Sequence, residues 1–171
     1  MAHPSAEELK IRPLKYSDLD EAMALYAHAR QYMADEGNDI QWQDEPRLEE
    51  LMTLISKHEI YALTPFNADN QLAAIFAVHQ GEDPSYTAPI EGAWPNSEPY
   101  VSVHRLASSG THRKVFERVS RFALGFTGRV RIDTHAKNQS MKSALRRTGY
   151  ERCGVIRLAD ESLRDIYYLE Q

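Results

Sequence analysis

Ser102 and His104, two residues apart in the apolar run YVSVHRLASSG, have both the residue type and the spacing for chemistry. In an extended segment they share a face. An imidazole suits proton transfer from a substrate ammonium group, which makes His104 a candidate base. The bland reading is a histidine hydrogen-bonded within its sheet, and both stand at this stage. Asp133 and His135 repeat the spacing at the end of RIDTH. One can orient the other, or both can satisfy a strand end and the start of a helix. Trp42 and Trp94 are bordered by acids, Asp44 and Glu45 near one, Glu91 and Glu98 near the other. Such a wall can hold a cationic amine by cation–π contact, or it can be plain packing of a loop. Cys153, with no catalytic signature around it, reads as a structural thiol. The histidines form no His-x-x-x-His or Cys/His cluster, so no metal is expected.

Regular elements must position these groups. Leu9 to Leu14 reads as a short strand ended by Pro13, after a polar start over residues 1–8. Ser17 and Asp20 make a capping-box-like start for a helix whose stripe is Leu19, Ala22, Met23, Tyr26, Ala29 and Met33. A second helix is predicted from Pro46, with Leu48, Leu51, Met52 and Ile55 as its apolar face. Ile60 to Leu63 and Leu72 to Val78 read as a hairpin. Residues 81–99 hold four prolines, Tyr86 and Trp94. So long a loop inside a domain reads as an ordered binding flap that chooses the substrate.

The second half is more regular. A strand at Tyr100 to Ala107 leads to a helix at Thr111 to Leu124, closed by Gly125 and Gly128. A strand at Val130 to Thr134 leads to a helix capped by Asn138, with Met141, Ala144 and Leu145 inward and Arg146, Arg147 and Gly149 at its end. Tyr150 to Leu158 and Leu163 to Glu170 form a terminal hairpin, whose edge could pair across a homodimer. The pattern predicts one α/β domain over 1–171, a mixed sheet with helices on both faces and a parallel crossover in its second half. Ligands in such sheets favour the carboxyl ends of parallel strands and nearby helix N-termini.

Composition narrows the classes. The chain has 171 residues, a formal charge of −5 and a single cysteine. That length suits one domain with a substantial core. The charge gives no basic stripe for nucleic acid and suits an amine or cationic substrate. One cysteine fits a reducing compartment. Met1 to Lys10 carries no apolar signal core and no run is long enough to span a bilayer, so the expected location is the cytoplasm.

The segments EPYVSVHRLASSG, RIDTHAKNQSM and LRRTGYERCGVI, with NDIQW and IEGAWPNSEPY upstream, resemble a bacterial subgroup of the GCN5-related N-acetyltransferases (GNAT). The order of elements is similar to that fold over almost the whole chain. The resemblance implies a central, mostly antiparallel sheet in which two parallel strands splay apart to take the pantetheine arm of acetyl-coenzyme A. It implies that main-chain groups of Leu106 and Ala107 pair with that arm, an N–H near Leu106 polarising the thioester carbonyl. It places the pyrophosphate at the start of the 111–124 helix, beside His112, Arg113, Lys114, Val115 and Phe116. It sets Asn138, with Met141, toward the cofactor arm. Trp42, Trp94, Glu98 and His135 fall to the substrate side. The acetyl group would pass directly to a small-molecule or peptide amine, with no covalent enzyme intermediate.

Two departures accompany the resemblance. Val115 and Glu117 occupy positions that are small in the family's pyrophosphate loop, and a carboxylate beside a pyrophosphate is electrostatically unfavourable. The family's frequent tyrosine acid falls on Leu145. The second reading is therefore a catalytically degenerate domain of the same fold, acting as a coenzyme A sensor or a partner-binding module.

Overall fold

Alternating apolar strands and amphipathic helices build the architecture that the pattern predicts. A computed structural model describes residues 8–39, 41–86 and 88–171. Most of the polar start, residues 1–7, lies outside these, as do Ile40 and Thr87. Among the described residues the strands are β1 (Leu9–Pro13), β2 (Ile60–Pro65), β3 (Ala74–Gln80), β4 (Glu91–Gly92), β5 (Val101–Ser108), β6 (Arg129–Thr134), β7 (Glu151–Arg157) and β8 (Leu163–Glu170). The helices are α1 (Leu19–Asp35), α2 (Leu48–Ser56), α3 (Val115–Thr127) and α4 (Gln139–Thr148). The strands form one mixed sheet in the order β1-β2-β3-β5-β6-β8-β7-β4. β5 and β6 run parallel, registered at Val101↔Val130 and Ser102↔Arg131. β1–β2, β2–β3, β6–β8, β7–β8 and β4–β7 pair antiparallel. No helix among the described residues is long and apolar enough to cross a membrane.

The chain divides into two compact units. The first takes in residues 8–35, 39–77 and 105–115. Its core joins Ala22, Leu25 and Tyr26 of α1 to Leu51 and Ile55 of α2, Ile60 and Ala62 of β2, Ile75 of β3, and Ala107 of β5. The start of α1 differs from the expected box. Asp18, in a 3-10 turn at Tyr16–Asp18, accepts from the Lys15 N–H at 2.8 Å and from Arg12 at 2.7 and 2.9 Å. α2 starts two residues after Pro46 because Arg47 is still extended (φ −85°, ψ 158°). Its inward face is Leu51 and Ile55 with Leu54 beside them, whereas Leu48 and Met52 are exposed.

The second unit takes in residues 36–38, 78–104 and 116–171. Here α3 begins at Val115, later than the apolar pattern predicts, because Lys114 has a left-handed backbone (φ 57°) that a right-handed helix cannot include. Gly125 lies inside the helix, and Gly128 (φ 77°) closes it by donating to the Leu124 carbonyl. Asn138 caps α4 by accepting the Met141 N–H at 3.2 Å, and Gly149 (φ 96°) ends that helix. The terminal hairpin forms as β7–β8, and the middle of its outer edge is paired within the chain. The short β4 of the flap covers β7 at Gly154 and Val155.

That cover depends on two facing glycines. A Cβ at Gly154 would lie 1.9 Å from the Glu91 carbonyl oxygen, and one at Gly92 would lie 1.9 Å from that of Cys153. Gly154→Ala is therefore expected to lift β4 from β7. Hydrogen exchange should show the Ile90 and Ala93 amides, which donate to the Val155 and Cys153 carbonyls, losing protection while β8 keeps its own.

Candidate functional site

The flap supplies the residue that organises the polar centre of the second unit. Asp83, followed by Pro84 and Ser85, folds as a side-chain-closed turn. One carboxylate oxygen accepts from the Ser85 N–H at 2.9 Å and the Ser85 hydroxyl at 2.6 Å. The other accepts from the Ser102 hydroxyl at 2.7 Å and from His104 Nε2 at 2.5 Å. Ser102 and His104 thus share a face of β5, as their spacing predicts. Serine donates to the aspartate rather than to the histidine, so this is not a hydrolytic triad. Burial pushes the Asp83 carboxyl up, but the hydrogen bond and charge of His104, with Ser85 and Ser102, outweigh it. The carboxyl is held well below the usual carboxylate range.

A second carboxylate stands on the other side of the ring. Asp133 Oδ1, on β6, lies 3.8 Å from His104 Nδ1 and accepts the Tyr86 hydroxyl at 2.7 Å. Its other oxygen is 3.6 Å from Arg164 Nε. Tyr86 is buried; burial, then the charge of Asp133, raises its pKa well above the ordinary value, so it remains a neutral donor. Its ring packs against both His104 (centroids 5.5 Å apart) and Trp94 (5.2 Å). His104 is accordingly flanked by two carboxylates on opposite ring nitrogens, with an aromatic wall from the flap. His135 is placed differently from Asp133. Its Nδ1 accepts the Lys137 N–H at 3.1 Å, and burial, with Arg164 and Lys137, lowers its pKa.

Both tryptophans face guanidinium groups of the chain itself. Arg131, buried on β6, lies 4.4 Å from the Trp94 ring centroid and 3.8 Å from that of Tyr100, and donates to the Asn96 carbonyl at 2.8 Å. In the first unit, Arg105 lies 5.9 Å from Trp42, whose ring meets Tyr26 edge-on at 5.6 Å. Glu45 and Glu50 each accept from Arg105 at 2.8 Å. Glu98 is exposed, its N–H donating to Asn96 Oδ1 at 3.0 Å. The sequence reading missed Asp83, Arg105 and Arg131. The Asp-Pro-Ser turn was the available signal for the first. Nothing in a strand pattern marks the other two.

The end of β5 and the segment after it carry most of the remaining candidates. Leu106 is half-buried and Ala107 is buried. Ser109 donates its N–H to the Ala73 carbonyl at 2.9 Å, and the Ser109, Thr111 and His112 side chains chain together at 2.7 and 2.9 Å. Arg113 and Lys114 are exposed, whereas the Val115 and Phe116 side chains turn inward and are buried. Glu117 is half-buried in the first turn of α3. Leu145 is fully buried in the second unit. No group of three His, Cys, Asp or Glu side chains able to hold a metal occurs among the described residues.

No family model and no curated protein matches the sequence. Solved structures do match the fold. A GNAT-family acetyltransferase from Streptococcus agalactiae is 28% identical over 95% of each chain, with a TM-score of 0.85. The chain has the fold of the GNAT-family acetyltransferases. A second GNAT acetyltransferase, from Listeria monocytogenes, superposes with a TM-score of 0.72 at 15% identity over 99% of each chain. The aminoglycoside acetyltransferase AAC(6')-Ib, solved with coenzyme A, does so with a TM-score of 0.66 at 11% identity, covering 96% of this chain and 95% of its own. The mixed sheet with its parallel β5–β6 pair is the sheet that the GNAT resemblance predicts. The neighbour from Streptococcus agalactiae is named as an acetyltransferase.

Proposed function

We propose that this GNAT chain transfers the acetyl group of acetyl-CoA to a primary amine of a small molecule or peptide, with His104 as general base. The observation that carries this reading is the pair of carboxylates around His104. Asp83 accepts from Nε2, which fixes the tautomer and leaves Nδ1 as the basic nitrogen. Asp83 and Asp133 then stabilise the imidazolium that forms when the ring takes the ammonium proton.

The freed amine nitrogen attacks the thioester carbonyl carbon, the C–S bond breaks, and the sulfur leaves as thiolate. Main-chain N–H donation near Leu106 opposes the negative charge that develops on the carbonyl oxygen. Arg113 and Lys114, both exposed before α3, supply positive charge for the pyrophosphate. The inward turn of Val115 keeps its side chain away from solvent, so its bulk does not obstruct that approach. With Leu145 in the core, the departing thiolate takes its proton from water, which its low basicity permits. The flap, through Tyr86 and Trp94, walls the acceptor side. We take the acceptor to be a small or peptide amine rather than nucleic acid, and the location to be cytoplasmic.

Glu117 favours one rival reading, a coenzyme A sensor without turnover, because its carboxylate opens the helix expected to hold a pyrophosphate. Thiol release from acetyl-CoA, followed across a panel of polyamines, aminoglycosides, amino acids and peptides, separates the two. Release that depends on one amine class supports the transferase. Binding of acetyl-CoA with no amine-dependent release from any member supports the sensor.

A further inference from the structure

Arg105 is the one residue of β5 with a left-handed backbone, φ 54°, and it is not a glycine. Such a conformation is unfavourable for a side-chain-bearing residue and persists only where surrounding contacts over-determine it. The contacts here all lie within the first unit. The Arg105 carbonyl accepts the Tyr26 hydroxyl at 2.7 Å. The guanidinium is gripped by Glu45 and Glu50 and lies over the face of Trp42. Tyr26 itself is fully buried in the core and touches Trp42. Backbone and side chain of one strand residue are therefore fixed from two directions, by α1 and by the loop and helix that follow it.

A left-handed residue in mid-strand resets the pleat, and with it the direction of the next N–H and C=O groups. Those groups belong to Leu106 and Ala107. We infer that Tyr26, Glu45 and Glu50 act through Arg105 as a positioning device that aims the Leu106 and Ala107 main chain at the acyl donor. The inference rests on the proposed use of that main chain for acetyl-CoA. It assigns the local geometry of the strand to a tyrosine hydroxyl and a two-glutamate grip, none of which touches the reacting atoms.

Two variants test it while leaving the core filled. Tyr26→Phe removes only the hydroxyl that holds the Arg105 carbonyl. Arg105→Lys keeps the charge but not the planar guanidinium, whose Nη2 donates to both carboxylates and whose face lies over Trp42. Binding of acetyl-CoA and of free coenzyme A is measured by titration calorimetry on each, with thermal unfolding to certify folding. A device that aims at the thioester should weaken acetyl-CoA binding about tenfold and coenzyme A binding less, so that the preference between them shrinks. A purely structural role would lower the melting temperature and leave that ratio unchanged. Folded variants with wild-type affinities and an unchanged ratio overturn the inference alone. Failure of the wild-type protein to bind either ligand overturns the acetyltransferase reading and the inference with it.

Discussion

Replacing His104 by glutamine is expected to lower the rate of amine acetylation by about 10²–10⁴-fold, the usual contribution of a positioned acid–base group. Glutamine can still donate to Asp83, so the flap keeps its anchor while the basic nitrogen is lost. Acetyl-CoA affinity should stay within a few-fold of wild type, because the ring is assigned to the acceptor's proton and not to the donor. Steady-state thiol release at saturating acetyl-CoA, with calorimetric affinity alongside, reads both quantities. A variant with wild-type turnover would remove His104 from the mechanism and return it to the role of a satisfied sheet histidine.

Asp83→Ala is expected to have the largest effect on stability. The substitution leaves the Ser102 hydroxyl, the Ser85 groups and the His104 ring without their shared acceptor. Leaving these buried donors without their acceptor costs about 3 kcal/mol or more in sum, and at this chain length each kcal/mol moves the midpoint by about 2–4 °C. A fall of roughly 6–12 °C follows from those two magnitudes. The pH dependence has a definite sign. The folded-state pKa of Asp83 is depressed, so its stabilisation is present above the ordinary carboxylate pKa of 3.8 and is lost as pH falls below that value. Wild type and Asp83→Ala should therefore converge in stability on acidification below about pH 4 and differ most near neutrality. Equal midpoints at pH 7 would show that the carboxylate holds nothing together.

Local pattern reached the elements more readily than the site. Val119 and Ala123 on α3, and Leu145 on α4, are fully buried where their spacing put them, because helical period and burial are the same fact seen twice. Asn138 caps α4 and Gly149 closes it, since cap residues act on their own backbone. The start of α3 was misplaced because the left-handed Lys114 carries no compositional mark. The apolar face of α2 keeps Leu51 and Ile55 but takes Leu54 in place of Leu48 and Met52, because three apolar rows are available on the helix and packing selects among them.

The site was legible only where its residues are close in the chain. Ser102 and His104 share a strand face, and two-residue periodicity is enough to say so. Their partner Asp83 arrives from the flap, nineteen and twenty-one residues away, and its Pro-Ser neighbours announce a turn without announcing what the carboxylate holds. For Trp42 and Trp94 the sequence leaves two readings open, a wall for a cationic amine and plain packing of a loop. Each has an arginine of its own chain against it, Arg105 and Arg131, an arrangement that only tertiary structure supplies.

Thermal unfolding with acetyl-CoA, against dephospho-coenzyme A and ATP, tests the central claim most directly, because everything proposed for His104 and Leu106 requires the acyl donor. A ligand at one hundred times its dissociation constant adds about 2.7 kcal/mol to the folded state, which for a chain of this length raises the midpoint by about 5–10 °C. A rise of that order is expected with acetyl-CoA and a smaller one with either control. No rise at millimolar acetyl-CoA would mean that Glu117 closes the pyrophosphate site, and would contradict the acetyltransferase reading of this GNAT fold.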